Sequence, residues 1–477
     1  MNIHKPLLFV FLLLVILVFA CKETNETPHS LPSLQPDIIH KIDSIGQAFH
    51  GAGGVMGIRI AVAKQGEIVY NNGFGYIDPE GSIPVTAENY FLLASVSKLV
   101  GSAMVHKLVE EKQLSLDQTL QELLPDFPNE DQGRKILLKH LLSHTSGLKD
   151  YADVIDSVYQ ETRIDPTLED YYHFFQAHEL DFEPGTSYNY SNSGFILMAM
   201  IIEKVTGNTF ENELDRIINQ PTGLRLKLIA ERASDERTSS IFEFEKDSLI
   251  HIPHWTWIKG DGGMTATSGD LVLFPFYWSD GTIISETSFE DMCTPYRFND
   301  GVSTGYGMAV RTGEFEGEFC VGHTGGNRTT MAVMKYYPEL KTSVAVMVNT
   351  DNTPADALLV EGYVSLALQG KQSPNLEQME ITDFDADQYL GEYQTYKNRY
   401  YGSGNQSMVQ YPDDPHLYRK RSGSDSKGQK LFFLGDHSFG YESFPMDRLI
   451  FETDTSGNVA AFNTYWNGLR KGRFYRK

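Results

Sequence analysis

Cysteine is scarce in this sequence: Cys21, Cys293 and Cys320 are the three cysteines among 477 residues. A disulfide-rich scaffold is therefore excluded, although one disulfide between Cys293 and Cys320 stays open beside two free thiols. Basic residues are also few, since 40 Lys and Arg against 63 Asp and Glu give a net charge of −23. A surface of this sign repels phosphate groups, which excludes nucleic acid as a partner.

A long apolar run is also missing. The N-terminal run Leu7–Ala20 is too short for a comfortable membrane span of about 20 residues. It ends at Ala20-Cys21, a junction that resembles a bacterial lipobox, so residues 1–21 are predicted to be a signal peptide with Cys21 as the lipidation site. The alternative is an uncleaved N-terminal anchor. Either way we expect the protein in the bacterial cell envelope, at the periplasmic or surface face, on a flexible polar tether over residues 22–36.

Apolar periodicity predicts an early amphipathic helix and hairpin, two helices further along, and strands towards residue 350. In chain order these elements are Pro36–His50, Ile58–Ala63 with Glu67–Tyr70, Leu99–Glu111, Phe195–Val205, Val321–Gly322, Met331–Tyr337 and Ser343–Asn349. Strands that come early and late, with helices between them, predict an α/β sandwich whose sheet is closed by both ends of the chain.

The residue pattern of the sequence changes after a polar linker at residues 371–380. Residues 381–477 contain short strand-like runs at regular spacing with turn residues between them, which predicts a small β-barrel or sandwich. This segment is locally basic, which indicates a solvated face or, alternatively, contact with an anionic envelope surface. Its cations are Arg419, Lys420, Arg421, Arg470, Lys471, Arg473, Arg476 and Lys477.

Three short motifs carry the chemical signal of the chain. They are, in chain order, Ser95-Val96-Ser97-Lys98, Tyr190-Ser191-Asn192 and His323-Thr324-Gly325-Gly326. Each motif is common by chance, but their order, wide spacing and flanks are specific. The flanking elements are the loop Leu141–Leu148, Pro184-Gly185, Gly262-Gly263-Met264 and Asp270.

The whole set resembles the serine hydrolases that are built like penicillin-recognising enzymes, in their class C β-lactamase and esterase branch. The resemblance covers about residues 37–370. It implies a β-lactamase/transpeptidase-like α/β (α+β) sandwich, with an antiparallel sheet flanked by helices and a helical subdomain. Residues 381–477 resemble the small all-β, lipocalin-like domain that is appended to many members.

The first motif fits a nucleophile and its base. Residues three apart share one helix face, so Ser95 at a helix start places Lys98 beside it, and the helix N-terminus offers an N–H to an oxyanion. The resemblance implies that Tyr190 shares the acid and base work with Lys98. It also implies that Asn192 hydrogen-bonds Lys98 and the acyl amide of the substrate.

The third motif departs from the lysine that helps β-lactamases to bind a substrate carboxylate. His323 stands in its place and is largely neutral at pH 7, which puts carboxylate recognition in doubt. The resemblance assigns His323, Thr324 and Gly325 to substrate binding, and Gly326 to the second oxyanion N–H. Arg328 is an alternative source of the lost charge, or a surface side chain.

No cofactor, nucleotide or metal ion is predicted. His140 and His144 are four residues apart, a spacing that can hold zinc on a helix, but position 141 is Leu and no third ligand is evident. The run Gly322–Gly326 has no Walker or dinucleotide pattern. Oligomeric state leaves no signal in the sequence.

The sequence therefore predicts an exported, lipid-anchored serine hydrolase that acylates Ser95. Small amides or esters are the expected substrates, with envelope peptides that contain D-amino acids as one class. One alternative is a carboxylesterase of the same family. Another is a catalytically silent lipoprotein that binds the envelope, and the intact motifs argue against it.

Overall fold

The computed structural model describes residues 32–52, 55–153, 166–245, 248–255, 258–298, 301–327, 329–351, 356–381, 384–395, 405–442 and 444–477. The predicted signal peptide, Cys21 and most of the predicted tether lie outside these ranges. Among the described residues, no helix combines the length and the apolar composition that crossing a membrane requires.

The strands are numbered β1 to β20 in chain order. They are β1 Gly57–Lys64, β2 Glu67–Gly75, β3 Phe91–Leu92, β4 Lys227–Leu228, β5 Ile241–Glu245, β6 Ser248–Ile252, β7 Met264–Ala266, β8 Arg311–Phe315, β9 Glu318–Asn327, β10 Thr330–Tyr337, β11 Thr342–Val348, β12 Thr350–Asp351, β13 Gly391–Thr395, β14 Gln406–Gln410, β15 Leu417–Arg421, β16 Gln429–Gly435, β17 Ser438–Tyr441, β18 Phe444–Thr453, β19 Val459–Trp466 and β20 Leu469–Arg476.

The α-helices are numbered in the same way. They are α1 Pro36–Gly51, α2 Ser97–Glu110, α3 Leu120–Leu123, α4 Glu130–Gly133, α5 Leu138–Leu142, α6 Leu168–Ala177, α7 Ser193–Thr206, α8 Phe210–Leu214, α9 Gln220–Thr222, α10 Ser268–Ser279, α11 Glu286–Cys293, α12 Ala357–Leu368 and α13 Leu376–Met379. Short 3-10 turns and one π-turn add Ala94–Val96, Tyr151–Asp153, Asp215–Asn219, Ile229–Glu231 and Ala386–Gln388.

The central sheet joins the two ends of the first domain. Its strand order is β8-β9-β10-β11-β1-β2, and β1 pairs antiparallel with β11 in the register Ile58 to Val348. An early hairpin thus completes a sheet built from late strands, which confirms the predicted sandwich closed by both chain ends. The predicted helix at Pro36–His50 and the helix that ends before Gly207 are confirmed as well.

Both faces of the sheet are covered by helices. Side chains alternate along β1, so Ile58, Ile60 and Val62 pack with α1 and α12, while Ala61 and Ala63 join the opposite core around α2, α7 and α10. This second core contains the segment with the first motif. The arrangement is the β-lactamase/transpeptidase-like fold that the motifs imply.

The C-terminal domain is an all-β barrel, as the sequence predicts. Strand β13 pairs with β14 on one side and with β20 on the other, which closes the ring of strands β13 to β20. Aromatic side chains fill its interior, among them Tyr389, Tyr393, Phe439, Phe451 and Phe462. The residues 371–380, predicted as a polar linker, include the helical turn α13.

A buried ion pair between β10 and α12 lies where the central sheet meets the barrel. Lys335 Nζ in β10 lies 2.6 Å from Glu361 Oε2 in α12, and neither side chain has any exposed surface. Lys335 Nζ also donates over 2.8 Å to the carbonyl oxygen of Asn467, in the turn between β19 and β20. Because a buried charge needs all of its partners, the barrel turn contributes to holding β10 in place beside β9.

One question left open by the sequence, whether Cys293 and Cys320 form a disulfide, is answered by the structure. Cys293 and Cys320 are both free thiols. Two cations of the basic segment have partners within their own domain: Arg473 pairs with Glu452, and the exposed Arg476 donates to the carbonyls of Gln388 and Leu390.

Candidate active site

The first motif lies on a tight turn between β3 and α2. Ala94 has a φ of 44°, a left-handed conformation that costs a residue with a side chain about 1–3 kcal/mol. Between residues 91 and 100, Ser95 is the residue that is not buried. The strained turn therefore presents the Ser95 hydroxyl at the surface of an otherwise closed segment.

The neighbouring Ser97 has a different role. It is fully buried, and its Oγ accepts a hydrogen bond from the Met264 N–H over 3.1 Å. This contact ties the turn to β7. Of the two serines in the motif, only Ser95 is open to a substrate.

The third motif packs directly on the turn. A Cβ atom at Gly325 would lie 2.1 Å from the carbonyl oxygen of Leu93 and 2.8 Å from the amide nitrogen of Ser95. Only glycine allows this approach, since a larger residue would push β9 away from the nucleophile. Gly326, next in the strand, is exposed and borders the open side of the site.

Lys98 is completely buried and meets three acceptors. Its Nζ lies 2.9 Å from Ser95 Oγ, 2.7 Å from Asn192 Oδ1 and 2.6 Å from the carbonyl oxygen of Asp261. The amide of Asn192 is oriented by its Nδ2, which donates to Asp150 Oδ2 over 3.1 Å. The Asn192 and Asp261 oxygens can only accept, so a neutral Lys98 amine must give them its two hydrogens. Its lone pair then faces the Ser95 hydroxyl, which is the geometry of a general base.

The charge of Lys98 is balanced between burial and nearby carboxylates. Burial lowers the pKa of Lys98 to about 8, and the negative charges of Asp261 and Asp150 oppose that shift. Burial also raises the pKa of the Asp261 carboxyl to about 6, against the pull of Lys98 and the Tyr151 hydroxyl. The lysine is thus far easier to deprotonate than in water.

Tyr190 is a further close neighbour of Lys98. Its ring centroid is 5.1 Å from Lys98 Nζ and 4.0 Å from the ring of His144. The guanidinium of Arg311 lies 5.9 Å from the same ring centroid. Arg311 is only 2% exposed and donates to the carbonyl oxygen of Arg470, so the barrel keeps this cation inside the protein. Lys98 and Arg311 therefore both lie close to the Tyr190 ring.

His323 is buried beneath the third motif. Its Nδ1 lies 2.6 Å from the carbonyl oxygen of Thr324, and its Nε2 lies 2.8 Å from the hydroxyl of Tyr306. Burial lowers the pKa of His323 well below its ordinary value, helped by the positive charges of Arg311 and Lys98. The histidine is therefore neutral at pH 7, as the sequence predicts.

The two histidines that raised the question of zinc have other contacts. His140 Nδ1 accepts from the Leu137 N–H over 3.2 Å, and His144 packs among aromatic rings. In the part of the chain that the structure describes, no three His, Cys, Asp or Glu side chains are grouped to hold a metal ion. Arg328, the alternative cation, lies outside the described residues.

The structure brings together all the predicted residues of the three motifs and adds four that sequence reasoning missed: Asp261, Asp150, Tyr306 and Arg311. Two of them carried a usable signal. Asp261 directly precedes the matched Gly262-Gly263 element, and Tyr306 stands between two glycines at 305 and 307.

Comparison with known proteins agrees with this geometry. The sequence model of the family described as Beta-lactamase matches residues 42–369. Penicillin-binding protein 4* of Bacillus subtilis is 26% identical over 323 residues, which cover 63% of this chain and 70% of the relative. The D-aminopeptidase of Brucella anthropi is 28% identical over 344 residues, which cover 70% of this chain. The match spans 63% of that D-aminopeptidase's own length.

Solved structures share the fold. The octameric penicillin-binding protein homologue from Pyrococcus abyssi has a TM-score of 0.65 at 24% identity, with 92% of this chain and 100% of that chain covered. The D-amino acid amidase from Ochrobactrum anthropi SV3 has a TM-score of 0.60 at 21% identity, with 70% of this chain and 99% of that chain covered. Since the family model covers more than half of the sequence, the chain belongs to the Beta-lactamase family.

Proposed function

We propose that this protein is a serine hydrolase that forms an acyl-enzyme on Ser95 and releases the acyl group to water. The observation that carries the proposal is the 2.9 Å contact between Ser95 Oγ and Lys98 Nζ, with the two hydrogens of the neutral lysine amine committed to Asn192 and Asp261. This arrangement gives a weak hydroxyl nucleophile the base that it needs.

The proposed reaction has two halves. Ser95 Oγ attacks the substrate carbonyl carbon while its proton moves to Lys98 Nζ, and the N–H groups of Ser95 and Gly326 stabilise the oxyanion. Tyr190 and Lys98 then pass a proton to the leaving amine or alcohol. In the second half a water molecule attacks the acyl ester, the same pair takes its proton, and Ser95 is regenerated.

The proposed substrates are small amides or esters, with short peptides that contain D-amino acids as the first class to test. Relatives and neighbours named D-aminopeptidase and D-amino acid amidase support this class. The buried, neutral His323 favours substrates without a carboxylate at the third motif, and this observation supports a carboxylesterase as the second candidate.

Covalent labelling tests the proposal. A fluorophosphonate probe should raise the mass of the intact protein by that of one adduct, and peptide mapping should place the adduct on Ser95. Exposure to a panel of esters, D-amino acid amides and β-lactams should trap the acyl-enzyme of the best substrate. The variant Ser97→Ala is the matched control, since its buried hydroxyl should not be needed for labelling. A wild-type protein that no probe labels would support the silent envelope-binding lipoprotein instead.

The pH profile should report the balance of charge around Lys98. As a general base, Lys98 acts when neutral, so kcat/KM should rise with pH through about 8, the pKa of this lysine. The Asp261 carboxylate raises that pKa, so Asp261→Asn should move the rise to lower pH, by roughly one pH unit for a nearby charge. Profiles from pH 5 to 9 measure the shift. The exposed Asp126→Asn is the control, and a move to higher pH would contradict the assignment.

We expect a neutral ester to be a better substrate than a β-lactam. A substrate carboxylate needs a fixed cation, but His323 is neutral and Arg311 is 2% exposed and turned towards barrel carbonyls. The missing charge-assisted hydrogen bond is worth roughly 1.5–3 kcal/mol, or about one to two decades in kcat/KM. A side-by-side measurement on a p-nitrophenyl ester and nitrocefin at pH 7 checks this. A nitrocefin value above the ester value would make β-lactamase the leading function.

We further propose that the protein is exported and anchored by a lipid on Cys21. The support is the apolar run that ends at Ala20-Cys21. Cys21→Ser should move the protein from the membrane fraction to the soluble fraction, while Cys293→Ser should leave it in place. A Cys21→Ser protein that stays with the membrane would instead support an uncleaved anchor.

A further inference from the structure

A continuous chain of hydrogen bonds connects the second motif to the third. It begins at the Ser191 N–H, which lies 3.1 Å from His144 Nδ1. His144 Nε2 lies 3.2 Å from the Tyr306 hydroxyl, which lies 2.8 Å from His323 Nε2. The chain ends at His323 Nδ1, 2.6 Å from the carbonyl oxygen of Thr324.

The two ends determine the direction of every link. A backbone N–H can only donate, so Nδ1 of His144 accepts and its hydrogen is on Nε2. A carbonyl oxygen can only accept, so Nδ1 of His323 carries the hydrogen and its Nε2 accepts. The Tyr306 hydroxyl then accepts from His144 and donates to His323. Each donor faces one acceptor, and both imidazoles are neutral.

The surroundings oppose any change in this pattern. His144 and His323 are each 1% exposed, and burial lowers the pKa of both rings well below the ordinary value. Lys98 and Arg311 both act on the two histidine rings, and the positive charge of each disfavours protonation of His144 and His323. A proton added to His323 Nε2 would face the Tyr306 hydroxyl oxygen and reverse that link.

The chain of hydrogen bonds also contacts both the second and the third motif. The His144 ring stacks on Tyr190 at 4.0 Å between centroids, and Ser191 stands between Tyr190 and Asn192 in the sequence. At the other end, Thr324 precedes Gly325, whose close approach to the Ser95 backbone has been described. Both nitrogens of His323 are already engaged by Thr324 and Tyr306, so neither is left for a substrate.

We propose that His144, Tyr306 and His323 are positioning residues that lock the second and third motifs together through this one-directional chain. His323 then acts as an internal strut, held in the Nδ1–H form by the Thr324 carbonyl oxygen and the Tyr306 hydroxyl, and does not bind substrate. The catalytic consequence rests on the proposed function, whereas the hydrogen-bond pattern does not.

Imidazole nitrogen NMR of the full-length protein with ¹⁵N-labelled histidine tests the pattern without using activity. His144 should appear as the Nε2–H form and His323 as the Nδ1–H form, both unchanged between pH 6 and 8. Tyr306→Phe keeps the ring and leaves the Thr324 carbonyl in place, so His323 should stay in the Nδ1–H form while its Nε2 signal shifts because that nitrogen loses its hydrogen bond. His144→Asn, which can still accept from Ser191, should leave His323 in the Nδ1–H form because Tyr306 still donates to it.

Kinetics then measure the positioning effect. Tyr306→Phe should lower kcat on the best ester by about 10-fold to 100-fold, the cost of a small displacement of reacting groups, with a smaller change in KM. Tyr336→Phe, which removes a hydroxyl that contacts Ser279 elsewhere, is the matched control. A wild-type His323 that is charged or in the Nε2–H form would overturn the proposal. So would a Tyr306→Phe variant with unchanged His323 signals. A correct NMR pattern in a protein without hydrolase activity would overturn only the proposed function.

Discussion

Ser95→Ala is expected to lower kcat for the best substrate by on the order of 10⁴-fold to 10⁶-fold, the effect of removing a nucleophile that works as one unit with its base. The reason is chemical: the methyl group cannot form the acyl ester, and the neighbouring Ser97 hydroxyl cannot replace the one that is lost. Ser97 is fully buried and its Oγ accepts from Met264, so it cannot reach a substrate. Steady-state kinetics and fluorophosphonate labelling measure the loss.

The comparison with Ser97→Ala separates chemistry from folding. Ser97→Ala removes one hydrogen bond that secures the nucleophile turn to β7, so its expected cost is in stability, about 1–3 kcal/mol for the orphaned Met264 N–H. Labelling of folded Ser97→Ala should persist. If Ser95→Ala kept the labelling and the turnover of the wild type, the nucleophile would have to be another residue.

The sequence could predict those parts of the site that lie close together along the chain. Ser95 and Lys98 are three residues apart at a helix start, so the helix itself brings them to one face. Two strands of the central sheet were equally accessible to sequence reasoning, because the apolar runs Met331–Tyr337 and Ser343–Asn349 match β10 and β11 within a residue at each end. Local geometry decides both features, and local geometry is what periodicity encodes.

Other parts of the site depend on contacts between distant segments. Asp261 lies 163 positions from Lys98 in the sequence and contacts it through its backbone carbonyl oxygen. Every residue type carries that group. Tyr306 meets His144 across 162 positions. The burial that makes both histidines neutral comes from the packed surroundings and has no counterpart in the motif. The resemblance assigns His323 to substrate binding, and its neutral state depends on this burial.

The C-terminal domain shows the same difference between local features, which the sequence predicts, and long-range contacts, which it does not. The short strands of the barrel, among them β19 Val459–Trp466, are predicted from the sequence, since turn residues separate their strand-like runs. The hydrogen bond from Lys335 to the Asn467 carbonyl, which joins sheet and barrel, was not predicted, because Lys335 and its ion-pair partner Glu361 look like ordinary surface charges in the sequence. Only the fold places this ion pair where neither side chain is exposed.

The second large effect is expected for the pair that moves protons. Lys98→Ala and Tyr190→Phe should each lower kcat/KM by about 10²-fold to 10⁴-fold, the usual contribution of a positioned acid or base. Tyr188→Phe is the control, because it removes a hydroxyl from the same segment while leaving Tyr190 and its stack on His144 in place.

The double variant Lys98→Ala, Tyr190→Phe tests whether the two residues act together. Lys98 Nζ lies 5.1 Å from the Tyr190 ring centroid and 2.9 Å from Ser95 Oγ, so one proton path is expected to use both groups. Once either residue is gone, the path is broken, and losing the other should cost little more. We therefore expect the double variant to retain a kcat/KM within about 10-fold of the worse single variant. Losses that multiply fully would show two independent roles, and normal turnover in Tyr190→Phe would leave Lys98 as the sole base.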